Sequence, residues 1–109
     1  MAQIKEFRAK VHFLTPEEGG RSKAVLSGYH PALDFGLKGE HGEKMYNDGI
    51  IELEGRDRVA PGEESYARIK PLCPELLQGV LKPNTPFDVT EGGLRIVGKG
   101  VIVEVYPEG

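Results

Sequence analysis

The feature that most constrains this chain is a period of two that recurs in short runs, each ended by a glycine or proline turn. In the first run Phe7, Ala9, Val11 and Phe13 share one face, with Arg8, Lys10 and His12 on the other. A side chain that points to alternate sides of the backbone at every step is a strand, so this run reads as a half-buried β-strand. Ala67 and Ile69 alternate with Tyr66, Arg68 and Lys70, and Phe87 and Val89 alternate with Asp88 and Thr90. The last run sets Val101, Val103 and Val105 on one face, read here as the core face, and Ile102, Glu104 and Tyr106 on the other. With the β-branched and aromatic segments between them, the pattern predicts six strands over residues 4–14, 23–37, 48–54, 64–72, 85–91 and 94–106. The punctuation comes from Pro16 through Gly20, Asn47 through Gly49, Pro61-Gly62, Pro83-Asn84 and Gly92-Gly93, residue types that set turn geometry. One helix-like stretch, 74–81, carries Gly79 inside it, and residues 36–49 read as a long polar loop. Short strands with turns at this spacing make an all-β sandwich or a closed barrel. The barrel is preferred, because closure leaves few strand edges to protect.

Composition narrows the class. At 109 residues the chain is expected to be one domain, 1–109, long enough for a single core. Leu, Ile, Val and Phe supply 29 residues, too many for a disordered chain. No run of apolar residues reaches the length of a membrane span, and MAQIKEFRAK has no apolar segment of the secretory kind. Cys73 is the only cysteine, which excludes an internal disulfide and favours a reduced, cytoplasmic setting without a membrane partner. The net charge is −3, whereas a general nucleic-acid binder is usually basic, so any RNA contact has to be local. Charge is also unevenly spread: residues 1–25 carry five basic and three acidic groups, and residues 40–64 carry three basic and eight acidic.

Four motifs could carry chemistry. Gly93 to Gly100 reads G-x-x-x-x-G-K-G, one residue short of a phosphate-binding loop. The hydroxyl that would ligate Mg²⁺ is missing, and a strand follows where a helix N-terminus is needed. No bound nucleotide is therefore expected. Gly98 and Gly100 read instead as structural glycines that let a strand turn, bulge or approach a neighbour. His12, His30, His41 and Cys73 are not at ligand spacing, so no metal is expected. Cys73, between Leu72 and Pro74, reads as a buried small hydrophobe. No nucleophile has a certifiable base, so no catalytic residue is assigned and an enzyme is disfavoured. An enzyme would need a barrel-mouth pocket with convergent polar groups. Last, Gly19-Gly20-Arg21-Ser22-Lys23 joins two turn glycines to two cations. Such a turn tip can approach a partner closely and can fork onto phosphate, or it is a solvated hairpin end at which Arg21→Ala changes little.

Together EEGGRSKAVLSGYHP (17–31), VAPGE (59–63), ARIKP (67–71) and EGGLRIVGKGVIVEV (91–105) resemble, in order and spacing, the C-terminal third domain of elongation factor Tu. FRAKVHFLTPEEGGR is similar to that domain's first strand and turn, so the resemblance spans Ile4 to Tyr106, as an isolated or stand-alone domain. The resemblance implies a six-stranded closed antiparallel β-barrel. In the family this barrel does no chemistry. It packs on a GTPase domain, touches the T stem of aminoacyl-tRNA and contacts the nucleotide-exchange factor.

By resemblance, the tRNA-facing positions are Arg21, which matches the family's arginine after the double glycine, Lys23 beside it, Lys70, and Gly92, whose backbone lies near tRNA in the family. The chain departs from the family at Ser22, where a histidine is usual, and at His30, where an arginine is usual. The family's threonine-rich turn is replaced by GLKGEHGEKMYND, and EGGLRIVG holds one extra residue. The resulting expectation is a non-catalytic, cofactor-free module that binds aminoacyl-tRNA weakly, a GTPase domain, or both. The alternative is a stand-alone protein–protein barrel that has lost tRNA binding. RNA binding requires Arg21, Lys23, Lys70 and Lys99 to converge. Protein binding predicts an exposed apolar patch at Tyr29, Leu33 and Phe35.

Overall fold

In the computed structural model, which describes residues 3–107, the predicted alternation closes on itself. The barrel strands are β1 (Ile4–Phe13), β3 (Ala32–Lys38), β4 (Lys44–Leu53), β6 (Glu64–Pro71), β7 (Pro86–Glu91) and β8 (Arg95–Pro107). They close in the order β1-β6-β4-β3-β7-β8, every pairing antiparallel. β2 (Val25–Leu26) and β5 (Arg58–Val59) form a separate two-stranded sheet. This is the all-β, six-stranded closed barrel expected. No helix among the described residues is long and apolar enough to cross a membrane.

The core is built from the faces that the period picked out in the first strands. Phe7, Ala9, Val11 and Phe13 are buried, as are Ala67, Ile69, Phe87 and Val89. Phe7 and Phe87 meet edge to face with ring centroids 5.6 Å apart, and Phe35 stacks tilted on Phe87 at 5.3 Å, within the range favoured by aromatic quadrupoles.

The last strand departs from expectation. Val101 and Val103 face solvent at 41% and 38% exposure, while Ile102 is fully buried. The cause is Phe87. A Cβ built on Gly100 would lie 2.4 Å from that ring, so the glycine positions must face inward, and Ile102 follows them by the period of two. A register shift against β1 between Arg8 and Ala9 then changes the parity, so that Val105 again packs on the core. Gly98 and Gly100 are thus not turn residues. They lie inside β8, where the absence of a side chain makes room for the neighbouring wall.

Four other expectations change. The run 23–37 breaks at Leu26–Tyr29, where the Tyr29 amide donates to the Leu26 carbonyl at 3.1 Å and Gly28 has φ +94°. The polar loop expected at 36–49 is a hairpin: β3 and β4 pair out to Lys38↔Lys44, and only residues 39–43 turn. The helix-like stretch has a single 3-10 turn, Pro74–Leu76, after which Leu77 and Leu81 bury themselves in the core. Leu33 is fully buried, and Tyr29 and Phe35 pack against the core, so the expected exposed patch does not exist.

Candidate nucleic-acid interface

The approach to the site begins at Thr15. Its hydroxyl accepts the Glu18 amide, and the Glu18 carboxylate accepts the Thr15 amide at 2.9 Å, a reciprocal cap on the 3-10 turn Pro16–Glu18. Gly19 follows in the left-handed region, and Gly20 lies so close to Leu14 that a Cβ would sit 2.3 Å from its carbonyl oxygen. These two glycines turn the chain sharply, and Arg21 comes next. The second approach is the β7–β8 hairpin, where Gly92 and Gly93 have φ +63° and +70°. Its tip lies against the Tyr46 ring, whose hydroxyl donates to the Gly93 carbonyl at 3.1 Å.

Glu91, the last residue of β7, joins the two approaches. Arg21 Nη1 donates to Glu91 Oε2. The Tyr29 hydroxyl donates to the same oxygen at 2.6 Å, and Arg95 Nη2 donates to Oε1 at 2.7 Å. The Arg21 guanidinium also lies 5.2 Å from the centroid of the Tyr29 ring, within cation–π range. Partial burial works to raise the Glu91 pKa. Three donors and the Arg21 charge outweigh it and hold the carboxyl down at about 2. Burial pushes the Tyr29 hydroxyl up, and its bond to Glu91 pushes further the same way, so it stays a protonated donor. For Arg21, burial opposes the charge, but the bonds to Glu91 prevail and its pKa is raised. Arg21 is therefore not a loose turn tip. Its side chain is only 27% exposed and is held by Glu91, the Lys23 carbonyl and the Tyr29 ring.

Arg21, Ser22, Lys23 and Arg95 line a polar pocket of about 180 Å³. Arg21 and Arg95 pair with Glu91 and Lys23 adds a third positive charge, which leaves a net positive cluster on a chain whose total charge is −3. A cluster of this kind attracts an oxyanion, and forked guanidinium donors suit phosphate in particular.

The structure brings Arg21, Lys23 and the Gly92 turn together. Lys70 does not line the pocket of Arg21, Ser22, Lys23 and Arg95; it lies on the outer side of β6, opposite Ile50 of β4. Lys99 also does not join, since it pairs with Asp88 at 3.6 Å. Sequence reading missed Arg95, and missed Glu91 as the organiser. The register pair Glu91↔Arg95 across a Gly-Gly turn was the available signal, obscured by the extra residue in EGGLRIVG.

The remaining motifs stay separate from this site. Lys99 lies inside β8 with no helix after it, so the loop-like string has no phosphate-binding geometry. Among the described residues no group of three His, Cys, Asp or Glu side chains could hold a metal. Cys73 is exposed, not buried. Its backbone exchanges two hydrogen bonds with the buried Asn47 side chain, at 2.9 and 3.2 Å. That clamp fixes the corner after β6 and turns Leu72 and Leu76 outward, where with Tyr46 they line an apolar groove of about 260 Å³.

Comparison with known families agrees with the barrel topology. The sequence matches the elongation factor Tu C-terminal domain over residues 1–106. With the match covering nearly the whole sequence and the barrel closing in six antiparallel strands, the chain belongs to the elongation factor Tu C-terminal domain family.

Proposed function

We propose that this chain is a non-catalytic binding module that contacts aminoacyl-tRNA through Arg21, Lys23, Arg95 and the Gly92 turn. The observation that carries the reading is that Arg21 and Arg95 both pair with Glu91 and, together with Lys23, line one pocket beside a left-handed glycine turn. Glu91 holds the two guanidiniums in place, and their remaining N–H donors are free to meet phosphate oxygens. Contacts of this type position a backbone without reading bases. With so few of them on an acidic chain, affinity falls in or below the non-specific range of about 10⁻⁴–10⁻⁶ M. Lys70 contributes at most a peripheral contact.

The test is a titration of labelled aminoacyl-tRNA at two salt concentrations. Each phosphate contact removed lowers the salt slope by about 0.9. Arg21→Ala and Arg95→Ala are expected to weaken binding and flatten the slope, while Lys70→Ala changes both far less. Absence of binding at low salt, or variants indistinguishable from the parent, overturns the reading.

A second reading, docking on a GTPase domain or another protein, is favoured by one observation. Tyr46, Leu72, Leu76 and Leu94 are exposed at 37%, 52%, 55% and 95%. Three of them line the groove beside Cys73, and Leu94 follows the turn that rests on Tyr46. Exposed apolar side chains gathered in this way mark protein interfaces. Capture of a separate GTPase domain that Leu76→Glu abolishes, with tRNA binding absent, would replace the first reading by this one.

A further inference from the structure

A groove opens directly from the cationic pocket, and phosphate chemistry does not account for it. It has a volume of about 390 Å³ and is lined by Ala24, Leu26, Gly28 and Tyr29, with Arg21 and Lys23 at one end. Leu26 is 57% exposed on its floor. The strand that borders it, β2, pairs only with β5. The Ser27 amide donates to the Asp57 carbonyl at 2.9 Å, so Ser27 and Val25 direct their backbone groups toward β5. By alternation, the N–H groups of Leu26 and Ala24 face the other way. The Ala24 amide has no backbone acceptor among the described residues. Two outward N–H groups, an exposed leucine and a cationic end thus lie along one groove, while the Leu26 carbonyl is already held by the Tyr29 amide.

We propose that this groove docks an extended acidic segment of a partner protein. The segment adds as a third strand along the outer edge of β2. Its backbone carbonyls accept the free N–H groups, an apolar side chain covers Leu26 and the Tyr29 ring, and its carboxylates enter the pocket of Arg21, Lys23 and Arg95. Strand addition draws affinity from main-chain bonds and specificity from alternate side chains. The charge fixes the partner's sign, because three cations line the pocket and Glu91 pairs with only two of them, which favours an acidic segment and repels a basic one. RNA phosphates would use the same cations but leave Leu26 in water and the strand edge unpaired. The proposal shares Arg21 and Lys23 with the RNA reading and does not depend on that reading.

The experiment uses the full chain and a fluorescein-labelled peptide in which a run of glutamates precedes alternating valine and threonine. A second peptide carries lysines in place of the glutamates. Binding is followed by anisotropy, amide exchange by NMR, and labelled aminoacyl-tRNA is titrated in parallel. The glutamate peptide is expected to bind, the lysine peptide not, and the Leu26 and Ala24 amides should exchange more slowly in the complex. Leu26→Asp and the neutral Leu26→Asn should each weaken the peptide about tenfold, a loss typical of a truncated central contact, and the neutral Leu26→Asn should leave tRNA affinity unchanged. Arg21→Ala should weaken both ligands. No binding of the glutamate peptide, equal binding of the lysine peptide, unchanged amides, or both Leu26 variants binding like the parent overturns the proposal. Loss of tRNA binding with peptide binding intact overturns only the RNA reading.

Discussion

The β7–β8 hairpin uses glycine in two opposite ways along its length. At its tip, Gly92 and Gly93 take left-handed backbone that a side chain resists, and a Cβ on Gly92 would meet nothing within 4 Å. In its wall, Gly100 is ordinary extended backbone, but a Cβ there would run into the Phe87 ring at 2.4 Å. The tip is constrained by backbone conformation and finished by charge, with Glu91 gathering Arg21, Tyr29 and Arg95. The wall is constrained by volume and finished by rings. Changes in the wall should therefore act on stability, and changes at the tip on binding and on pH.

The largest effect tests which face of β8 is inside. Ile102 is fully buried and Val103 is 38% exposed. Ile102→Asp places a charge in the core without a partner, and the expected loss exceeds about 4 kcal/mol, enough to unfold a marginal domain. Val103→Asp, one residue on, should cost about 1 kcal/mol or less, mostly from strand preference. Urea unfolding of the two variants decides the matter. Equal losses would mean the strand faces the other way.

The next effect tests the fit between ring and glycine. Phe87→Ala should cost about 3–5 kcal/mol by leaving a cavity among Phe7 and Phe35. Gly100→Val should cost about 2–3 kcal/mol by forcing that ring aside. The double variant is expected to lose clearly less than the sum of the two, because the added methyl groups fill the vacated space. A denaturant-based double-mutant cycle with additive losses would show that the two positions do not share one volume.

The wall and the tip also differ in how much of each could be read from the sequence. Phe7, Ala9, Val11, Ala67, Ile69 and Val89 lie inside as the period of two requires, because β1, β6 and β7 carry polar residues on their outer faces. In β8 the rule fails for a physical reason. Hydropathy favours the face of Val101, Val103 and Val105, but the decision falls to the volume of Phe87 from another strand, which only Gly100 accommodates. β2 and β5 were illegible for a different reason: two-residue strands are too short to show any period. At the site, Arg21, Lys23 and Gly92 were found through the resemblance and do converge, while Lys70 shares their charge but does not line their pocket. Glu91 and Arg95 were missed because their role depends on a register that exists only once the hairpin closes.

The tip should respond to pH in a way the wall does not. The Glu91 carboxyl is held at about 2, below its ordinary 4.5. The unfolded chain therefore takes up this proton at a higher pH than the folded one. The stabilisation is complete above about 4.5 and is lost as pH falls toward 2. Glu91→Gln should be less stable than the parent by about 1–2 kcal/mol at neutral pH, the scale of a charge-assisted hydrogen bond broken at a partly buried site. The gap between the two should close as pH falls through that window, and Arg21→Ala should lose much less in the Glu91→Gln background than alone. Parallel pH–stability curves would mean that the carboxylate does not organise the cluster.

The smallest effect separates the two kinds of glycine most directly. Gly92→Ala meets no neighbouring atom and bears only the left-handed backbone, a cost of roughly 1 kcal/mol. Asn tolerates that conformation better than Ala, so Gly92→Asn should recover part of the loss. At Gly100 the order reverses. The backbone is permissive and the space is not, so Asn, being larger and polar, should be worse there than Ala. Four thermal melts, Ala and Asn at each position, test the contrast. If Asn ranks the same against Ala at both, one of the two glycines has been assigned the wrong constraint. If the order crosses as expected, backbone conformation governs the tip that presents Arg95 and holds Arg21 through Glu91, and volume governs the wall that keeps it in place.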